Sequence, residues 1–114
     1  MAVQHRQVLQ EGDTDVTTSG TPVQVSSTEL WVTSFMMIPK GGNAGANIYV
    51  GFSSATANKA NNNHAILQSQ DTYNIKPDLD RNMQQEVDLS TIWIDSDSNG
   101  DGIIYQYVQA QGNS

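Results

Sequence analysis

Residues 30–38, "LWVTSFMMI", constrain this chain more than any other segment. Their length and their aromatic and β-branched content mark a strand. Strict alternation places Leu30, Val32, Ser34, Met36 and Ile38 on one face and Trp31, Thr33, Phe35 and Met37 on the other. Both faces are largely apolar, so both need cover. A single sandwich of 114 residues covers one face of each strand. The second face therefore calls for another chain segment or another subunit.

The other elements are also strands. "TPVQVSS" (21–27), "NIYVGF" (47–52) and "DTYNIK" (71–76) alternate, while "DLSTIWID" (88–95) and "GIIYQYVQ" (102–109) read as an antiparallel pair. Turn-forming stretches separate them, notably "PKGGNAGAN" (39–47) and the polar "SSATANKANNNHA" (53–65). Only residues 77–87 have helical spacing, with Leu79, Met83 and Val87 one turn apart and Pro77 and Asp78 suited to a first turn. One short helix and an irregular loop fit that stretch equally. Residues 1–20 carry few apolar side chains and read as an extended N-terminal arm ahead of a domain over 21–114. Short strands, turn clusters and at most one short helix make an all-β chain, expected to be an antiparallel β-sandwich of jelly-roll-like arrangement.

Charge narrows the partners. Five basic residues stand against twelve acidic ones, a formal net charge of −7. Such a surface repels phosphate backbones and anionic lipid, so neither nucleic acid nor membrane is an expected partner. The first residues lack the apolar run of a signal peptide, and no stretch approaches about 18 consecutive apolar residues. The chain is expected to be soluble where it is made. It has no cysteine, hence no disulfide, thiolate ligand or thiol nucleophile.

The acidic stretch "IDSDSNGDG" (94–102) raises the one explicit question of chemistry. Asp95, Asp97, Asn99 and Asp101 alternate, with Gly100 and Gly102 between them, which matches the first half of a calcium-binding loop. The bidentate carboxylate that should close such a loop is missing: the closing position is Gln106 in one frame and Val108 in the other. The competing reading is a hairpin turn between two strands, built from Asx and Gly chemistry. The turn is the expected state, no metal or other cofactor is expected, and Asp95, Asp97, Asn99 and Asp101 remain the calcium candidates.

No catalytic site is expected either. His5 and His64 are too few for zinc without cysteine and sit in polar surroundings. Ser34, Ser90 and Ser96 lack a recognisable base. Asp78, Asp80, Glu86 and Asp88 form carboxylate pairs of a kind that an acidic chain produces by chance. Trp31 and Trp93 could stack on a sugar, but each lies within an apolar strand, where core or subunit packing is the simpler role.

The succession "LWVTSFMMIPKGGNAGANIYVGFSS", "AILQSQDTYNI" and "VDLSTIWIDSDSNGDGIIYQYV" resembles small virion proteins of tailed bacteriophages. The shared pattern is a strand, a glycine turn, an "IYVG" strand, a strand with spaced Leu, Tyr and Ile, and a closing pair around "GDG". It spans residues 22 to 109, with "KPDLDRNMQQE" standing as an insertion and the arm left out. The resemblance implies a structural role as a capsid decoration (cement) protein on the virion surface, made in the host cytoplasm. Its implied partner is the major capsid protein, and its implied state is a homo-oligomer, a trimer first of all. Two readings of other kinds are a tail or fibre module that binds carbohydrate or receptor, and a small hydrolase with paired carboxylates.

Overall fold

Strict alternation fails inside the central strand, and the failure decides which side chains enter the core. In the computed structural model, which describes residues 9–59, 65–75 and 86–109, that strand is β3 (Trp31–Pro39). Its register against β9 (Gly102–Gln109) shifts between Val32 and Ser34. The extra residue is a β-bulge, which moves the preceding side chains to the opposite face. Val32 thus joins Phe35 and Met37 in the core, and Trp31 is left exposed. This corrects the expected face of Trp31, Thr33, Phe35 and Met37.

The remaining strands are β1 (Leu9–Asp15), β2 (Val23–Gln24), β4 (Ile48–Gly51), β5 (Ala65–Leu67), β6 (Tyr73–Ile75), β7 (Val87–Asp88) and β8 (Trp93–Ser96). All pairings are antiparallel and nest around the middle of the chain. β1 pairs β9, β2 pairs β8, β3 pairs both β6 and β7 along one edge, and β4 pairs β5. Two further ladders, β9 to β3 and β8 to β4, roll this long hairpin into two sheets. Sheet one runs β1-β9-β3-β6 with β7 beside β3, and sheet two runs β2-β8-β4-β5. That is the strand order of a jelly roll, and the protein is an all-β antiparallel sandwich.

The core lies between the sheets. Phe35, Met37 and Ile103 come from sheet one, Ile48, Val50, Leu67 and Ile94 from sheet two, and Val16, Val25, Leu89 and Ile92 from the connections. Fully burying each large aliphatic side chain contributes about 1.5–3 kcal/mol.

Two expectations change here. The arm expected over residues 1–20 is, over its described part, an integral strand. Leu9–Asp15 pairs along its whole length with β9, and Val16 behind it is fully buried. The cause is the open edge of β9, whose ladder hydrogen bonds are satisfied by a strand of low intrinsic propensity. The stretch 88–95 is not one strand either, because a 3-10 turn, Leu89–Thr91, buries Leu89 between β7 and β8. The helical spacing noted at 77–87 falls mostly on residues 76–85, outside the described residues.

Asp88 organises that turn. Its Oδ1 accepts hydrogen bonds from Leu30 N at 3.0 Å, Ser90 N at 3.0 Å and Ser90 Oγ at 2.9 Å. Burial pushes this carboxyl up, but the bonds from Leu30 and Ser90 together pull it below its ordinary value. A depressed folded value contributes stability that is present above about pH 4 and is lost as pH falls through it. At the alkaline end Lys40 is raised by its bonds to Asp13 and Asp15, and Tyr49 is raised by its bond to Asp97 and by burial. Those contributions hold below about pH 10 and are lost as pH rises through the folded values. Urea midpoints measured against pH should therefore fall at both ends, and Asp88→Asn should flatten the acid limb alone.

Candidate functional site

The acidic stretch is not a hairpin. β8 belongs to sheet two and β9 to sheet one, so residues 97–101 form the corner where the chain crosses between sheets. The two strands expected to pair with each other pair instead with β2 and β4, and with β1 and β3. A corner needs something to hold it, and the acids supply it. Asp95 is 0% exposed, and its carboxylate accepts N–H bonds from Gly20, Lys59 and Ser96, each at 2.8 Å. Asp101 accepts from the N–H groups of Ala44 and Gly45, also at 2.8 Å. Asp97 accepts from Tyr49 OH at 2.7 Å and from Asn47 N and Nδ2 at 3.1 Å. Asn99 Oδ1 accepts from Ser19 N at 2.8 Å.

Asp95 thus ties down loops 16–21 and 53–59, while Asp97 and Asp101 both hold loop 40–47. Burying an ionised carboxylate is costly unless it is hydrogen-bonded, and backbone N–H groups are effective partners because the bonds are charge-assisted. Glycine makes the close approach possible. A Cβ at Gly45 would stand 2.7 Å from Asp97 Cβ and 3.0 Å from Asp101 Oδ2. Gly100 has φ +87°, a conformation that favours glycine, and its N–H reaches Val16 O at 2.8 Å.

As a calcium cage this set is a poor fit. The oxygens of Asp95, Asp97 and Asp101 are taken up by N–H and O–H donors of the protein itself, whereas calcium needs about six to eight oxygens converging on one point. Among the described residues no group of three or more His, Asp or Glu is placed to hold a metal ion. Millimolar calcium, or EDTA, should therefore leave the melting temperature unchanged. A site with a dissociation constant near 10 μM, saturated about a hundredfold, would instead add about 2.7 kcal/mol and several degrees.

Other candidates scatter. Glu86 is exposed and Asp88 caps its turn, while His5, His64, Asp78 and Asp80 lie outside the described residues. Ser90 donates to Asp88, Ser96 Oγ donates to Ser98 O, and Ser34 lines a surface groove. A contact without any sequence signal places Lys59 Nζ 2.8 Å from Ser19 Oγ. It is not a base–nucleophile pair, because the serine proton is donated to Ser96 O at 2.6 Å and the lysine is itself the donor to Oγ. Both side chains tighten the corner.

Among the described residues, one surface that this arrangement leaves open is the outer face of sheet one. Residues opposite each other in an antiparallel ladder share a face, so the register defines its rows. They are Leu9–Val108–Ser34, Glu11–Gln106–Met36–Asn74, Asp13–Ile104–Ile38 and Asp15–Gly102–Lys40. Lys40, whose N–H bonds Gly102 O at 2.9 Å, places its Nζ 2.7 Å from both Asp13 and Asp15. Leu9 is 75% exposed, Ile104 41% and Trp31 44%. A groove of about 290 Å³ opens at one end, lined by Leu9, Ser34, Phe35, Met36, Asn74, Gln106 and Tyr107. Met36 and Ile38 are readable in the sequence as the second apolar face of the strand, but Leu9 and the acid column of β1 are not, because they fell within the expected arm. Compared with known proteins, the chain matches no family model, and no curated protein or solved structure is detectably similar to it.

Proposed function

We propose that this chain is a structural virion protein of a tailed phage, a capsid decoration (cement) protein that binds the major capsid protein and stabilises the head. One observation carries the reading: a sandwich whose buried acids all serve its own loops presents an apolar sheet face that no described residue covers. Soluble chains seldom present such a face unless something docks on it. The motif succession over residues 22–109 supplies the phage context. In this reading the protein is not an enzyme, needs no cofactor, and acts at the capsid surface. It works as a homo-oligomer, a trimer first of all.

The test is to image particles made with and without this chain and to measure the temperature at which they release DNA. The reading expects regular surface density that disappears with the chain, and earlier release without it. Density confined to the tail would turn the assignment to the tail or fibre module, and complete absence from the particle would overturn it.

A further inference from the structure

We propose that the outer face of sheet one takes a basic, apolar-centred protein surface, not a second copy of this chain. The proposal rests on the decoration reading for its biological setting, but its chemistry is that of the face itself. Three acids, Glu11, Asp13 and Asp15, stand in one column on the outer side of β1, all exposed. Beside them runs an apolar patch of Leu9, Met36, Ile38, Ile104 and Val108. Lys40 bridges Asp13 and Asp15 with one charge against their two, while Glu11 has no ion-pair partner among the described residues. The face is therefore an apolar surface with an acidic border and one unpaired carboxylate.

A complementary partner has aliphatic side chains at the centre and Lys or Arg at the margin facing β1. The described residues of a second copy do not supply this, the other three of the chain's five basic residues lying outside them. Among the described residues the only cations are Lys40, engaged with two aspartates, and Lys59, engaged at the corner on the other sheet. Each copy also brings a net charge of −7. Facing copies would bury acids against acids, a juxtaposition that selects against the wrong partner. The groove beside Leu9 and Met36 offers a seat for one apolar anchor, in the position where interface energy concentrates.

The full-length protein is titrated with an amphipathic Lys–Leu peptide and with its Glu–Leu counterpart, at low salt and at about 0.3 M salt. The Lys–Leu peptide should bind and the Glu–Leu peptide should not, with affinity falling about tenfold across that salt range. Ile104→Ser should weaken binding by about tenfold and Glu11→Gln by about threefold. The Glu11→Gln melting temperature should be unchanged because that side chain is exposed, and Ile104→Ser, at a position only 41% exposed, should still be cooperatively folded at the assay temperature. Glu29→Gln, an equal charge change outside the strands of sheet one, should leave binding as it was. Equal loss from Glu29→Gln, or undiminished binding by Ile104→Ser, would overturn the proposal, since the attraction would then be to net charge alone. A dimer in sedimentation that Ile104→Asp dissociates would also overturn it and give the face to a second copy. Particle binding separates the two readings. Face variants that decorate particles at full occupancy remove this inference and leave the decoration role standing. A face that follows the peptide pattern on a chain absent from particles supports this inference and removes that role.

Discussion

Asp95→Ala is expected to cost about 3–5 kcal/mol, a large share of the stability of a domain this size. The side chain is fully buried and holds three backbone N–H groups, from Gly20, Lys59 and Ser96. Alanine removes the acceptor and leaves all three donors without a partner, and two of them belong to loops that the aspartate draws onto the sheet. At about 4 °C per kcal/mol, the melting temperature should fall by roughly 10–20 °C. Asp95→Asn should cost less. Its amide oxygen can still accept from Gly20 and Ser96, while the NH2 group faces the Lys59 N–H and repels it. The order wild type, Asn, Ala in thermal melts is the signature of a hydrogen-bonding clasp. If Asn and Ala were both neutral, the corner would be held by something other than its acids.

Gly102→Ala comes second, at about 2–4 kcal/mol. A Cβ there would lie 2.2 Å from Thr14 O, 2.4 Å from Asp15 Oδ1 and 2.9 Å from Asp15 Cα. Two of those atoms are backbone, so the end of β1 must move. With it go the Val16 N to Asp101 O bond and the bridge from Asp15 to Lys40. Gly12→Ala offers the contrast. The atoms nearest its Cβ would be those of the Tyr105 ring, at 2.6–3.1 Å, the outer end of a side chain and not backbone. Hydrogen exchange should show the β1 amides losing protection in the Gly102 variant far more than in the Gly12 variant.

The class of fold was legible because strand signals recur between residues 21 and 109. Periodicity marked 30–38, 47–52 and 102–109, each containing a strand of the sandwich. What stayed hidden has physical causes. "LQEGDTD" has the composition of a loop, and only the unfilled edge of β9 makes it a strand, so the expected arm concealed β1. Thr33 gives no local sign that the ladder slips there, yet that bulge decides that Val32 and not Trp31 enters the core. "DSDSNGDG" carries turn chemistry that suits a hairpin and a sheet-to-sheet corner equally. The difference lies in distant partners, Gly20, Ala44, Gly45 and Lys59, that no local pattern announces. In "KGGNAGAN" the density of small residues is the one sequence trace of the corner, since backbone amides must come close to carboxylates there.

Adjacent methionines allow a direct test of the central claim, that the open face of sheet one is covered in the particle. Met36 lies half-buried on that face, whereas Met37 is 0% exposed in the core and serves as an internal control. Mild peroxide treatment followed by peptide mass analysis reads both from one fragment. In the free protein Met36 should oxidise readily and Met37 should not. In assembled particles Met36 should become protected, with Met37 unchanged. Equal oxidation of Met36 in free protein and in particles would contradict the account.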